Sequence, residues 1–132
     1  MSDPVINAKK PILIIEDEPG LLGAVRFKLE KEGFPVVACA NAEQAQELMA
    51  KTPPALIWLD IFLPGLSGLE FLRKLRSQDA WKNLPVIVVS NSGSPDKIRE
   101  SKELGVETYF VKADWRLEEI IDVVRTILIS KP

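Results

Sequence analysis

Five short apolar runs, at residues 11–16, 35–39, 55–59, 85–90 and 108–112, alternate along this chain with five stretches of helical periodicity. Uninterrupted apolar runs of this kind fit strands buried on both faces, as parallel sheets require. The first helical stretch opens on Pro19, whose missing N–H costs nothing in a first turn. It carries Leu22, Val25 and Leu29 on one stripe and stops at Gly33. The second follows Asn41 and Gln44, at capping-box spacing, and ends near Lys51 ahead of Pro53 and Pro54. Ser67 and Glu70 open the third, which runs to about Ser77. Ser94 is expected to cap the fourth, with Pro95 in its first position and Gly105 past its end. Asp114 is expected to cap the last, whose stripe is Leu117, Ile120, Val124, Ile127 and Leu128. Strand–helix alternation with short connections and no internal repeat predicts a doubly wound, five-stranded parallel α/β sheet. It forms one domain over residues 11–130, behind a loose polar arm at 1–10.

Composition closes off several kinds of chemistry. The 132 residues include no histidine, so imidazole acid–base catalysis, histidine-activated nucleophiles and histidine metal ligation are all excluded. The lone cysteine, Cys39, has no partner in the chain and reads as a small buried residue at a strand end. A reducing, cytoplasmic setting is expected. Net charge is −2, which offers no basic field to nucleic acid or to an anionic membrane. No signal-peptide pattern opens the chain, and no apolar run approaches a membrane span.

The strands end in reactive residues. Glu16 and Asp17 follow the first, Asp60 the third, and Ser90 and Lys112 close the fourth and fifth. A parallel sheet brings all carboxyl ends to one edge, where open α/β sheets bind their ligands. Carboxylates crowded there repel by roughly 4 kcal/mol per pair at about 4 Å and an effective dielectric near 20. Positive charge must therefore join them. Lys112 supplies one charge, and a hard divalent ion with oxygen ligands, such as Mg2+, supplies the rest. Lysine, serine and Mg2+ around a carboxylate suit a phosphoryl group, and a carboxylate can itself accept one as an acyl phosphate. Taken singly, each residue also has a plain reading: a solvated acidic loop, a strand-end serine, a surface lysine.

Together, Glu16, Asp17 and Glu18, the segment from Asp60 through Pro64 to Gly68, Ser90 and Lys112 resemble the receiver domain of two-component response regulators. Order and spacing match over about residues 11–130. The resemblance implies a flavodoxin-like sheet of strand order 2-1-3-4-5. It implies Asp60 as phosphoacceptor, with Mg2+ held by Asp17 and Asp60 directly, by Glu16 through water, and by the main-chain carbonyl of Phe62. Ser90 and Lys112 would hold the phosphoryl oxygens. Tyr109 matches the aromatic switch that turns inward as Ser90 moves toward the phosphate. Two positions depart from the family pattern. Ala113 stands where a cis proline is usual, and because a non-proline cis bond costs about 2.5–4 kcal/mol, a trans Lys112–Ala113 bond is expected. Asn91 stands where a small residue is usual, and its amide is expected either to crowd the phosphate or to hydrogen-bond it. Phe62 is expected to hinder the water that hydrolyses the acyl phosphate, so that Phe62→Asn would shorten its lifetime.

Leu21, Ala24 and Phe27 form a second apolar line on the first helix, read either as a docking surface for a phosphodonor helix or as extra packing. The donor implied by the resemblance is a sensor histidine kinase or a histidine phosphotransfer protein. No output module is expected after the last helix. An apparently stand-alone switch is expected, which either signals to an unknown downstream protein by contact through the last helix and its neighbours, a face that also offers a route to a dimer, or relays the phosphate onward. Such a domain catalyses its own phosphorylation and dephosphorylation and is not a turnover enzyme. One alternative is a pseudo-receiver that binds partners without being phosphorylated. A weaker one is a small Mg2+-dependent phosphohydrolase with an aspartate nucleophile, in which a second aspartate is expected where Phe62 stands. A nucleotide-binding domain is disfavoured, since no glycine-rich fingerprint follows the first strand.

Overall fold

The computed structural model describes residues 10–130. The expected polar arm lies almost wholly outside them. Five parallel strands, β1 (Ile12–Ile15), β2 (Val36–Cys39), β3 (Leu56–Leu59), β4 (Val86–Ser90) and β5 (Thr108–Val111), form one sheet in the order β2-β1-β3-β4-β5. This is the expected α/β class and strand order. The helices between and after them are α1 (Pro19–Lys31), α2 (Ala42–Lys51), α3 (Gly68–Arg76), α4 (Pro95–Glu103) and α5 (Leu117–Ser130). Among the described residues no helix is long and apolar enough to cross a membrane.

Successive strand residues point to opposite faces, so each apolar run fills two cores at once. Leu13, Ile15, Ile57, Leu59, Val86 and Val88 pack with Ala45 and Met49 of α2 and Leu72 and Leu75 of α3. Ile12, Ile14, Leu56, Trp58, Ile87, Val89 and Phe110 pack on the other side with Val25 and Leu29 of α1 and Ile120, Val124 and Ile127 of α5. Helices on both faces of a parallel sheet explain why the strands lack polar alternation. Cys39 is buried at the end of β2, as expected, and burial pushes its thiol up to about 11, which makes it a poor nucleophile.

Three strands begin one residue after a proline because proline has no N–H for the ladder. Their carbonyls still accept: Pro35 from Ile12, Pro11 from Ala55 and Pro85 from Ile57, at 2.8–3.0 Å. The turns at Gly33 (φ +93) and Gly105 (φ +77) each close a helix with paired bonds, Gly33→Glu30 with Phe34→Leu29, and Gly105→Lys102 with Val106→Ser101. The α4 helix is polar, and Ser101 is its only fully buried residue. An Arg73–Glu100 ion pair ties it to α3, and the Arg76 guanidinium donates both to the Leu104 and Gly105 carbonyls at its end and to those of Trp81 and Leu84 before β4.

Two expected caps take another form. Ser94 stands before α4, but its side chain makes no capping bond; its own N–H donates to Ser92 Oγ at 3.1 Å. Asp114 does not cap α5. It ends a single 3-10 turn, Lys112–Asp114, after which Trp115 is extended and its ring stands edge-on to Phe110 at 5.0 Å. That contact uses up two residues before the helix starts at Leu117. The Glu119 carboxylate then accepts from the Arg116 N–H at 2.8 Å.

Candidate functional site

The carboxyl rim of the sheet is built by extending the ladder one residue beyond the strands. The Glu16 N–H donates to the Cys39 carbonyl at 3.1 Å, and the Asp60 N–H donates to the Ile15 carbonyl at 3.0 Å. Both side chains therefore leave a fixed backbone. Glu16 and Asp60 are buried, at 2% and 5% exposure, while Asp17 is exposed. Carboxylate oxygens of all three lie within 4.8 Å of one another. Lys112, the first residue after β5, reaches between them: its Nζ donates to Glu16 Oε1 at 2.9 Å and to Asp60 Oδ2 at 3.4 Å.

The charges explain this arrangement. Burial raises the Glu16 carboxyl above its ordinary range, against the opposing pull of Lys112 and of the Glu18 N–H that donates to it. Burial also works against the Lys112 ammonium, but the Glu16 and Asp60 carboxylates outweigh it and hold its pKa above the ordinary value. The third acid of the run, Glu18, turns away to cap α1, accepting from the N–H groups of Gly20 and Leu21 at 3.1 and 2.6 Å. Oxygen donors at this spacing form a cradle that fits a hard divalent cation.

Ser90, buried, ends β4, and its Oγ accepts from the Ser92 N–H at 3.1 Å. Register places it beside the site, since Ser90 pairs with Val111, the residue before Lys112. Tyr109 is half-buried, and its hydroxyl donates to the Ser92 carbonyl at 2.7 Å. The backbone of Ser92 is thus gripped from both sides. Asn91 is exposed in the same loop. The Lys112–Ala113 bond is trans, as is every peptide bond among the described residues.

The loop after Asp60 is folded back on it. The Phe62 N–H donates to Asp60 Oδ1 at 3.0 Å, while the Phe62 side chain is half exposed. Gly68, at the start of α3, donates its N–H to the Ile61 carbonyl at 3.0 Å. A methyl group at Gly68 would lie 2.4 Å from Ile61 Cα and 2.6 Å from the Asp60 carbonyl oxygen. No apolar or acidic pattern marks this requirement; only the glycine in the first turn hints at it.

On α1 the second apolar line divides. Ala24 and Phe27 are exposed, Phe27 at 66%, but Leu21 is half-buried against the core. It lines a cavity of about 150 Å3 behind Lys112, with Val25, Trp58, Trp115 and Leu117 among its neighbours. Helical spacing does not tell how wide the buried stripe is; of the two readings of this line, Leu21 takes the packing one.

Fold and rim together define a flavodoxin-like α/β domain with an acidic, lysine-bearing site at the carboxyl edge of its sheet. The model of the response regulator receiver domain family matches residues 12–125, and the chain belongs to that family, a signalling domain of two-component systems. It is 37% identical over 117 residues to the sporulation initiation phosphotransferase F of Bacillus subtilis (strain 168), covering 89% of this chain and 92% of that protein. It is 36% identical over 121 residues to the uncharacterized transcriptional regulatory protein YkoG of the same organism, covering 91% of this chain but 51% of that one. The chain therefore spans about half the length of that second relative. Among solved structures, the BeF3-activated N-terminal receiver domain of Klebsiella pneumoniae RstA superposes with a TM-score of 0.82 at 28% identity. That match covers 90% of this chain and 98% of the other.

Adding one methyl group where Gly68 meets the backbone of Asp60 and Ile61 forces the loop or the helix to shift. Gly68→Ala is expected to lower stability by about 2–3 kcal/mol in urea unfolding; an unchanged midpoint would contradict the close approach.

Proposed function

We propose that the protein is a phosphorylation-dependent switch that accepts a phosphoryl group on Asp60. The observation that carries this reading is the position of the Asp60 carboxylate, buried on the rim, one oxygen facing Lys112 and the other held by the Phe62 N–H. A carboxylate oxygen of Asp60 forms the new P–O bond as the P–N bond of a phosphohistidine donor breaks, the electron pair leaving with the imidazole. Mg2+ would be held by Asp17 and Asp60, by Glu16 through water, and by the Phe62 main-chain carbonyl. When bound, it supplies charge neutralisation for the phosphoryl oxygens. Lys112 contributes its ammonium to one of those oxygens. Ser90 accepts from Ser92, which leaves its hydroxyl proton for another, and Asn91 borders them.

Ser90 and Tyr109 both act on the backbone of Ser92. When Ser90 turns to the phosphate, the Ser92 N–H loses its acceptor, and the loop and Tyr109 move together. This is the switch. Its consequence is read by a downstream protein, or by a second copy of the chain, through α5 and its neighbours. The name of the Bacillus relative, a phosphotransferase, and the BeF3 activation of the RstA receiver support a phosphoryl-accepting role.

A sensor histidine kinase or histidine phosphotransfer protein is the donor, docking on the outer face of α1. Gly20, Gly23, Ala24 and Phe27 follow one another there at helical spacing, all exposed. Nothing lies within 4 Å of where a Gly23 side chain would be. A helical glycine costs about 1 kcal/mol relative to alanine, and here no internal packing requires it. That open, side-chain-free surface supports close approach of a partner backbone there.

Intact-mass analysis after incubation with acetyl phosphate and Mg2+ tests the central assignment. The native chain gains one phosphoryl group and Asp60→Asn gains none; an unlabelled native chain would leave a pseudo-receiver, and a labelled Asp60→Asn would move the acceptor elsewhere. Phe27→Glu is expected to slow transfer from a phosphohistidine donor about tenfold, since hot-spot truncations cost 1–2 kcal/mol or more, while labelling by acetyl phosphate stays at the native rate. Equal slowing of both would count against docking on α1.

A further inference from the structure

The loop that leaves Asp60 is tied to its own ends by Phe62 and Gly68, but its middle is tied to a different element. Gly65 has φ +72, a left-handed conformation that favours glycine, and follows Pro64 in a tight turn. Glu43, in the first turn of α2, reaches across to this turn. Its Oε2 accepts from the Leu66 N–H at 3.2 Å, and the same oxygen lies 3.1 Å from where a Gly65 methyl group would stand. Gly65 therefore provides both the backbone turn and the space for the carboxylate. The α2 terminus is itself fixed, since Asn41 Oδ1 accepts from the Gln44 N–H at 2.8 Å and the Gln44 Oε1 accepts from the Ala40 N–H at 3.1 Å.

We infer that Glu43 is a positioning residue for the Asp60 site: its carboxylate, anchored on α2, sets the Pro64–Leu66 turn and through it the Phe62 backbone. This rests on the reading of Asp60 as phosphoacceptor. Phe62 is the link, because its N–H holds one oxygen of Asp60 and its carbonyl is the main-chain group assigned to the cation. A carboxylate suits the task. It offers a charge-assisted acceptor to the Leu66 N–H, and the α2 N-terminus favours its negative charge. A competing role exists, in which Glu43 only complements the helix dipole, and it predicts an effect on stability alone.

Three readouts on Glu43→Ala and Glu43→Gln separate these roles: amide exchange at Leu66 by NMR, Mg2+ affinity by calorimetric titration, and the rate of labelling by acetyl phosphate. In Glu43→Ala the Leu66 amide is expected to exchange about five- to tenfold faster, as loss of one hydrogen bond implies. Mg2+ affinity is expected to fall about tenfold, the lower range for losing a group that orients metal ligands, and labelling to slow with it. Glu43→Gln keeps a carbonyl acceptor and stays within about twofold of the native chain on all three. Native Mg2+ affinity and labelling in Glu43→Ala, with only a lower melting temperature, would overturn the inference and leave Asp60 as acceptor. A native chain that takes up neither Mg2+ nor phosphoryl overturns both.

Discussion

Everything at the rim follows from crowding like charges where the sheet backbone is most rigid. Three carboxylates with oxygens inside 4.8 Å of one another would not stay together unaided. Lys112 resolves part of the conflict by placing its ammonium against both Glu16 and Asp60. Burial is the main reason the Glu16 carboxyl is raised above its ordinary range, with the nearby Asp60 charge adding to it. The three carboxylates offer the oxygen donors that a hard divalent cation takes.

The sheet and the rim were both legible in the residues because they depend on short-range pattern. An apolar run that stops at Glu16, Asp60, Ser90 or Lys112 announces both a strand and its exposed end, and parallel topology then gathers those ends. The side chains beyond that first circle depend on what another element places nearby. Trp115 takes the segment ahead of α5 out of helical conformation by packing on Phe110, which is why Asp114 makes no cap. Leu21 lies on a helical line that the neighbouring α5 turns inward. Glu18 caps α1 although glutamate is an uncommon cap, because Pro19 already fills the first helical position.

Two glycines on the same path illustrate the difference between backbone and tertiary requirements. Gly65 needs its left-handed turn, which a Pro–Gly pair suggests without any structure. Gly68 needs absence of a side chain, because α3 starts in contact with the backbone of Asp60 and Ile61. With Glu43 closing the third side, the loop after Asp60 is held by the Asp60 side chain, by α3 and by α2. The site is therefore supported by both helices on that face of the sheet.

Thermal unfolding in Mg2+ against NaCl of matched ionic strength tests most directly whether the rim is an unsatisfied cation cradle. Binding to the native state alone stabilises by about 2.7 kcal/mol at a free concentration of 100 times the dissociation constant. The native chain is therefore expected to melt several degrees higher in Mg2+ than in matched NaCl, and Asp17→Asn to lose most of that difference. Identical melting temperatures in the two salts would contradict the account.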